Sequence, residues 1–286
     1  MQQSLVHRPL SPMLLAQSET PPTGNYLAQV KFDGHRCIFS YNGNDVRLFT
    51  RELNDCTQQY PEAQIRMPVR NAVLDGEMIA FDEMGKPCFD SLMTRFHCAK
   101  DSTIRSYMKS IPSHFVAFDL LYLNDEDYTK RPIEDRLEVL ESIVEPSNAI
   151  SVCPMFENGQ QLFQSVAEQG MEGIVSKRRG SLIELGTRSK NWIKTKAWNY
   201  EEVGISAIRK GKFGWSLTLN GRYIGVTEFV PPKERKAFFP IALQLKTHED
   251  DNWIYIQPLI HCKVKFQCYS KKGHMRSPSF VSFVGI

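Results

Sequence analysis

Alternation of apolar and polar positions dominates the first part of the chain, and residues 26 to 123 read mostly as strands. YLAQV leads into the stretch QVKFDGHR, where Asp33-Gly34 suits a tight turn. RCIFSY and DVRLFT flank NGND, and Asn42-Gly43 is a strong hairpin signal. NAVLDGEMIAFDE predicts a strand closed by a turn at Met84-Gly85. HFVAFDLLYLN is almost continuously apolar and fits a strand buried on both faces. The period then changes. Ile133, Leu137, Leu140 and Val144 recur at helical spacing, Pro132 suits the first turn, and Pro146 ends the run. GQQLFQSVAEQG predicts a second short helix stopped by Gly170. EGIVSKRR and NWIKTKAW predict two further short strands.

The pattern shifts again after Trp198. EEVGISAIRKGKFGWSLTLNGRYIGVTEF alternates in short pieces, with turns at Lys210-Gly211 and Asn220-Gly221. A helical stretch, KERKAFFPIALQLK, interrupts before more strands in NWIYIQPLIHCKVKFQCYS. Several short strands and one helix in so few residues suit a small β-barrel of the OB-fold kind. The boundary is expected near Trp198 to Glu201, giving domains 1–198 and 199–286.

Composition narrows the class. The length of 286 residues is ample for one large or two smaller cores. No apolar run is long enough to cross a bilayer, and the start has no basic stretch followed by an apolar segment. Seven scattered cysteines without a C-x-x-C pair favour reduced thiols and a cytoplasmic location. His261, Cys262, Cys268 and His274 have a spacing that fits no common zinc site. The net charge of +3 is uneven: residues 199–286 hold thirteen Lys or Arg against seven Asp or Glu, a net +6, which leaves −3 on the rest. A basic module behind a near-neutral one suits a phosphate-rich partner, although solvated surface charge explains the count equally well.

Candidate chemistry lies in short charged motifs at strand ends. Lys31-Phe32-Asp33-Gly34 puts a lysine at the end of a strand, before a turn that could aim its amine into a pocket. A nucleophilic lysine needs an uncharged amine, and desolvation or nearby cations lower its pKa. Asp75-Gly76-Glu77 closes NAVL, and Glu172-Gly173 opens EGIVSK. A carboxylate beside a buried strand is costly unless it meets a cation or a donor. In WIKTKAW, Lys194 and Lys196 fall on one face of a strand, where two ammoniums make sense facing a polyphosphate. Singly, each motif reads as an exposed turn or a lysine-guarded edge. Together with Phe118-Asp119 in the apolar strand, they form an ordered set.

That set resembles the nucleotidyltransferases that carry a nucleotide on lysine, and more closely the small ATP-dependent DNA ligases of bacterial or bacteriophage type. The likeness runs from SPMLL to RSPSF: K-x-D-G-x-R is met by Lys31, Asp33, Gly34 and Arg36, a following Thr-Arg by Thr50-Arg51, and LDGEM, FVAFDLL, EGIVSK and WIKTK follow in order. The resemblance implies an α+β fold: a nucleotidyltransferase (ATP-grasp-like) domain of antiparallel sheets with flanking helices, then an OB-fold barrel. It implies that Lys31 attacks the α-phosphorus of ATP and holds AMP. AMP then passes to the 5′-phosphate of a nick, and the 3′-hydroxyl seals the strand. It assigns catalysis to Lys31, Asp33, Arg36, Glu77, Glu172, Lys194 and Lys196. Gln29, Val30, Arg36, Arg51, Phe118 and Lys177 join Glu77, Lys194 and Lys196 around the nucleotide, with Phe118 stacking on adenine. Glu77 and Glu172 are the expected site of Mg²⁺ or Mn²⁺. Arg51, Lys210, Lys212, Lys263 and Lys265 are expected on nicked duplex DNA, gripped by a monomer of clamp shape. Cations around Lys31 are expected to lower its pKa.

Three positions depart from the family pattern. Val284 and Ile286 stand where a C-terminal R-x-D-K motif would place Arg and Asp, and Gln29 replaces a common Glu. An RNA ligase or an mRNA-capping guanylyltransferase shares the first motif and stays open as an alternative. So does a nucleic-acid-binding relative with a dead transferase site.

Overall fold

The computed structural model describes residues 4–81, 85 and 87–285; Met84 of the expected turn and the terminal Ile286 lie outside them. The chain divides into two compact units, Met1–Lys196 and Ala197–Ile286, a division two residues ahead of the boundary read from the sequence.

In chain order the first unit contains β1 (Leu14–Ser18), β2 (Tyr26–Lys31), β3 (His35–Tyr41), β4 (Val46–Thr50), β5 (Ala72–Ala80), α1 (Phe89–Phe96) and α2 (Asp101–Ser110). It continues with β6 (Ser113–Leu123), β7 (Glu126–Asp127), α3 (Ile133–Ile143), β8 (Ile150–Val152), α4 (Gly159–Glu168), β9 (Gly173–Arg178) and β10 (Arg188–Lys196). One sheet is ordered β4-β3-β5-β6-β7, with β8 added beside β6; the other is ordered β1-β10-β9-β2. Both are mainly antiparallel, but β8 runs parallel to β6 and β1 parallel to β10.

The larger sheet is buried on both faces, which explains its apolar runs. On one face Ile38, Val73, Leu121 and Tyr122 pack with Trp192 of β10, joining the two sheets. On the other, Phe39, Leu74, Phe115 and Leu120 pack with Leu137 and Leu140 of α3. Leu162 and Val166 of α4 cover Ala28 and Ile174 on the smaller sheet. Helix α3 follows the apolar spacing of its sequence, with Val144 as its C-terminal cap.

Helices α1 and α2 correct the expectation that residues 26 to 123 are mostly strands. In α1, Phe89, Leu92, Met93 and Phe96 do recur at helical spacing. In α2 only Ile104 is buried, so almost no periodic signal exists to read.

The second unit holds β11 (Asn199–Arg209), β12 (Trp215–Leu219), β13 (Arg222–Thr227), α5 (Pro232–Gln244), β14 (Lys246–Glu249), β15 (Trp253–Ile256), β16 (His261–Phe266) and β17 (Ser279–Phe283). Long β11 pairs with β12, with β15 near its end and with β16 near its start. Strand β17 pairs with β16, and a parallel bridge joins Phe229 to Ser279, curling the sheet toward closure. Trp215 fills the middle, with the Phe238 ring of α5 at 4.6 Å. This is an OB-like barrel with one helix.

Candidate active site

Strand register assembles the first part of the site. Lys31 ends β2 opposite Gly173 of β9, and Gly173 in turn lies opposite Lys196 of β10. The residue before Gly173 therefore sits between two lysines. Glu172 accepts from Lys31 Nζ at 2.7 Å through Oε2, and its Oε1 lies 3.0 Å from Lys196 Nζ. Gly173 is required there. Its φ is +142°, and a Cβ would stand 2.1 Å from the Thr195 carbonyl oxygen. Gly34 meets a similar limit across the turn after Lys31, where a Cβ would stand 2.1 Å from the Met78 carbonyl oxygen.

The larger sheet supplies the opposite wall. Arg36 of β3 lies across from Glu77 of β5. The Arg36 guanidinium forks onto buried Asp75, at 2.9 and 2.5 Å, and donates to the Met13 carbonyl at 2.6 Å. The Glu77 carboxylate forms no hydrogen bond or ion pair among the described residues, although its backbone belongs to the β5 ladder. Two spaces meet at this line. A slot of about 60 Å³ is walled by Val30, Phe118, Val175 and Trp192, with Gln29 and Lys177 in its lining. A basin of about 450 Å³ is lined by His35, Arg51, Glu52, Arg188 and Lys194. Leu15, Lys31, Arg36 and Glu77 line both. An apolar slot thus gives onto a mainly cationic basin, with a lysine amine at the border.

Electrostatics corrects one expectation. Burial works against the Lys31 ammonium, yet Glu172, Glu77 and Asp33 outweigh it and hold its pKa above the ordinary value. The carboxylates, not the neighbouring cations, set its charge in this structure. Burial, reinforced by Glu172, pushes Glu77 up to about 7 against the pull of Lys31 and Arg36. Glu172 is itself buried, but Lys31 and Lys196 keep it below the usual carboxylate range. Burial and then the charges of Lys196 and Lys31 lower Lys194. Burial also lowers His35 to about 4, and its Nε2 lies 2.8 Å from the Tyr60 hydroxyl.

A family model described as "ATP dependent DNA ligase domain" matches residues 14–196, which include every residue lining the slot and the basin. The chain belongs to the ATP-dependent DNA ligase family. A ligase-like relative, the SPbeta prophage-derived protein LigB of Bacillus subtilis (strain 168), is 33% identical over 277 residues, covering 96% of this chain and 98% of the relative. The multifunctional non-homologous end joining DNA repair protein LigD of Mycobacterium tuberculosis (strain H37Rv) is 25% identical over 299 residues; these span 95% of this chain but 38% of that protein. A solved structure of mycobacterial DNA ligase D complexed with ATP and MES superposes with a TM-score of 0.58 at 25% identity, covering 96% of this chain and 94% of that one.

The ligase brings Lys31, Arg36, Glu77, Glu172, Lys194 and Lys196 together around one border, and Asp33 is near enough to act on the charge of Lys31. Gln29, Val30, Phe118 and Lys177 line the slot. Arg51 is on the basin, where its guanidinium pairs with Glu52 at 2.7 Å. The four barrel lysines differ in surroundings. Lys210 pairs with Glu249 at 3.2 Å and Lys212 with Glu228 at 2.9 Å. Lys263 instead lies 5.4 Å over Tyr200, and Lys265 lies 5.3 Å over Trp198. Among the described residues no group of three or more His, Cys, Asp or Glu side chains is placed to hold a metal ion by itself, and Cys262 is buried in the barrel with its thiol pushed up to about 12 by burial.

Sequence reasoning passed over Trp192, Arg188, His35 and the anchoring role of Asp75. Trp192 had a usable signal: in WIKTK, positions 192, 194 and 196 share one face of a strand.

Proposed function

We propose that this ligase seals nicks in duplex DNA through an AMP carried on Lys31. The observation behind this reading is the amine of Lys31 at the border between an aromatic-walled slot and a cationic basin. A purine suits the slot, stacked on Phe118, and a polyphosphate suits the basin. The Lys31 ammonium gives a proton to solvent, its amine bonds to the α-phosphorus as the bond to pyrophosphate breaks, and the nitrogen releases a second proton to solvent. Lys194 and Arg188 offset charge on the departing phosphates, which is the main demand of phosphoryl and nucleotidyl transfer. An oxygen of the nick 5′-phosphate then bonds to the AMP phosphorus, and the Lys31 nitrogen leaves with a proton. Finally the 3′-hydroxyl bonds to the 5′-phosphate and AMP departs. Arg51 forks onto the nick phosphate once it leaves Glu52, a reading its pairing with that exposed carboxylate supports.

Glu77 and Glu172 suit a hard divalent cation. One is a half-buried carboxylate with no cation bonded to it, the other is shared by two lysines, and Mg²⁺ needs few protein oxygens when phosphates complete its shell. When bound, Mg²⁺ or Mn²⁺ supplies Lewis-acid neutralisation of the reacting phosphate. The test is transfer of label from [α-³²P]ATP. Lys31→Ala must abolish labelling, and nicked DNA must discharge the label from the wild type. Label that persists in Lys31→Ala, or discharge by nicked RNA but not nicked DNA, refutes the assignment.

A further inference from the structure

We infer that Lys177 is a positioning residue for the base slot: it pins the backbone of Phe118 and braces the indole of Trp192, without itself touching the nucleotide's phosphates. The inference rests on the slot taking the base, as proposed above. It begins with an irregularity in β6. Asp75 lies opposite Asp119 and Gly76 opposite Ala117, so Phe118 has no partner across the ladder. Such a bulge re-aims a side chain, and it leaves a backbone group needing another partner. Lys177 Nζ, from β9 in the other sheet, donates to the Phe118 carbonyl oxygen at 2.6 Å.

The same ammonium reaches three more groups. It donates to Asp119 Oδ2 at 3.3 Å and lies 3.9 Å from the Trp192 ring and 4.9 Å from the Phe118 ring. Asp119 is fixed by Arg136, at 2.7 and 3.0 Å, so the anchor is itself anchored. Phe118 and Trp192 stand nearly perpendicular, with ring centroids 6.2 Å apart. One buried cation therefore sets the relation of both aromatic walls, and it does so across two sheets. Lys177 is only 1% exposed, and the basin lining does not include it. Its charge is thus directed at the walls of the slot. A desolvated cation over a tryptophan face and a charged hydrogen bond to a bulge carbonyl are both strong contacts.

The test separates base from phosphate. Binding of α,β-methylene-ATP and of inorganic tripolyphosphate to the full chain is measured by calorimetry for the wild type, Lys177→Met and Lys177→Gln. The methylene bridge blocks the chemistry, so the outcome does not depend on Lys31 labelling, which judges the proposed function separately. Loss of the cation and its donor is expected to weaken the nucleotide analogue at least about tenfold in K177M, while tripolyphosphate stays within about twofold. K177Q keeps a donor for the Phe118 carbonyl and stands in where K177M does not fold; it should lose at least about threefold with the same selectivity. Equal loss of both ligands, loss of neither, or a wild type that binds tripolyphosphate but not the nucleotide analogue overturns the inference.

Discussion

Replacing Gly173 by alanine places a methyl group where the structure has no room. The new Cβ would stand 2.1 Å from the Thr195 carbonyl oxygen and 2.9 Å from the Lys196 Cα, at a φ of +142°. Both obstacles are backbone, so no side-chain rotation relieves them, and β9 must move by about 1 Å to restore van der Waals contact. The strained backbone costs about 1–3 kcal/mol, and each ladder hydrogen bond lost beside it about 0.5–1.5 kcal/mol more. The catalytic effect exceeds the effect on stability. Glu172 precedes Gly173 directly, and its two lysine contacts at 2.7 and 3.0 Å would both lengthen. A displacement of about 1 Å at reacting groups costs on the order of 100-fold in rate. The assay is single-turnover labelling from [α-³²P]ATP at saturating nucleotide, with thermal unfolding followed in parallel. G173A should unfold several degrees lower and label about 100-fold more slowly. A variant that labels within about threefold of the wild type would refute the claim that strand register holds Glu172 between the lysines.

Further outcomes can be checked separately. Glu77 has a folded pKa near 7 against an ordinary value of 4.5, so the folded state holds the extra proton between these limits. Stability should therefore fall as pH rises from 4.5 to 7, on the order of 2–3 kcal/mol, and E77Q should remove that fall when urea midpoints are compared across the window. Asp75→Asn leaves the Arg36 guanidinium without its buried counter-charge and should cost about 3–5 kcal/mol in urea unfolding. On nicked DNA, Lys263→Ala should reduce the slope of log affinity against log salt by about 1, whereas Lys210→Ala and Lys212→Ala, already paired with carboxylates, should leave the slope almost unchanged. Equal slopes in all three variants would contradict the difference in their surroundings.

Much of this site was legible because its residues sit at strand ends beside glycines. Lys31 before Asp33-Gly34, Glu172 before Gly173 and the alternating lysines of β10 each announce themselves locally. Their company is a product of register, and no single strand states its register with a distant one. Phe118 was readable as a member of an apolar strand, but the bulge that turns it out of the ladder depends on how β5 pairs with it. The charge of Lys31 was misjudged for a related reason. Sequence spacing reveals which ions are present, while the sign of the pKa shift depends on which of them lies nearest, and that neighbour is Glu172. Helix α2 was hidden because a helix burying little more than Ile104 leaves no periodic stripe.

The central ladder joins Lys31 to a carboxylate 141 residues further along the chain and, through Gly173, to Lys196. Contacts this far apart close slowly, because the loop between them must first be ordered. During synthesis the first hundred residues can emerge from the ribosome with Lys31 made and its counter-ion Glu172 still untranslated. The lysine-carboxylate cluster is therefore complete only when β10 has docked, and a nascent chain cut short before that strand lacks Lys194, Lys196 and the ladder partner of Gly173.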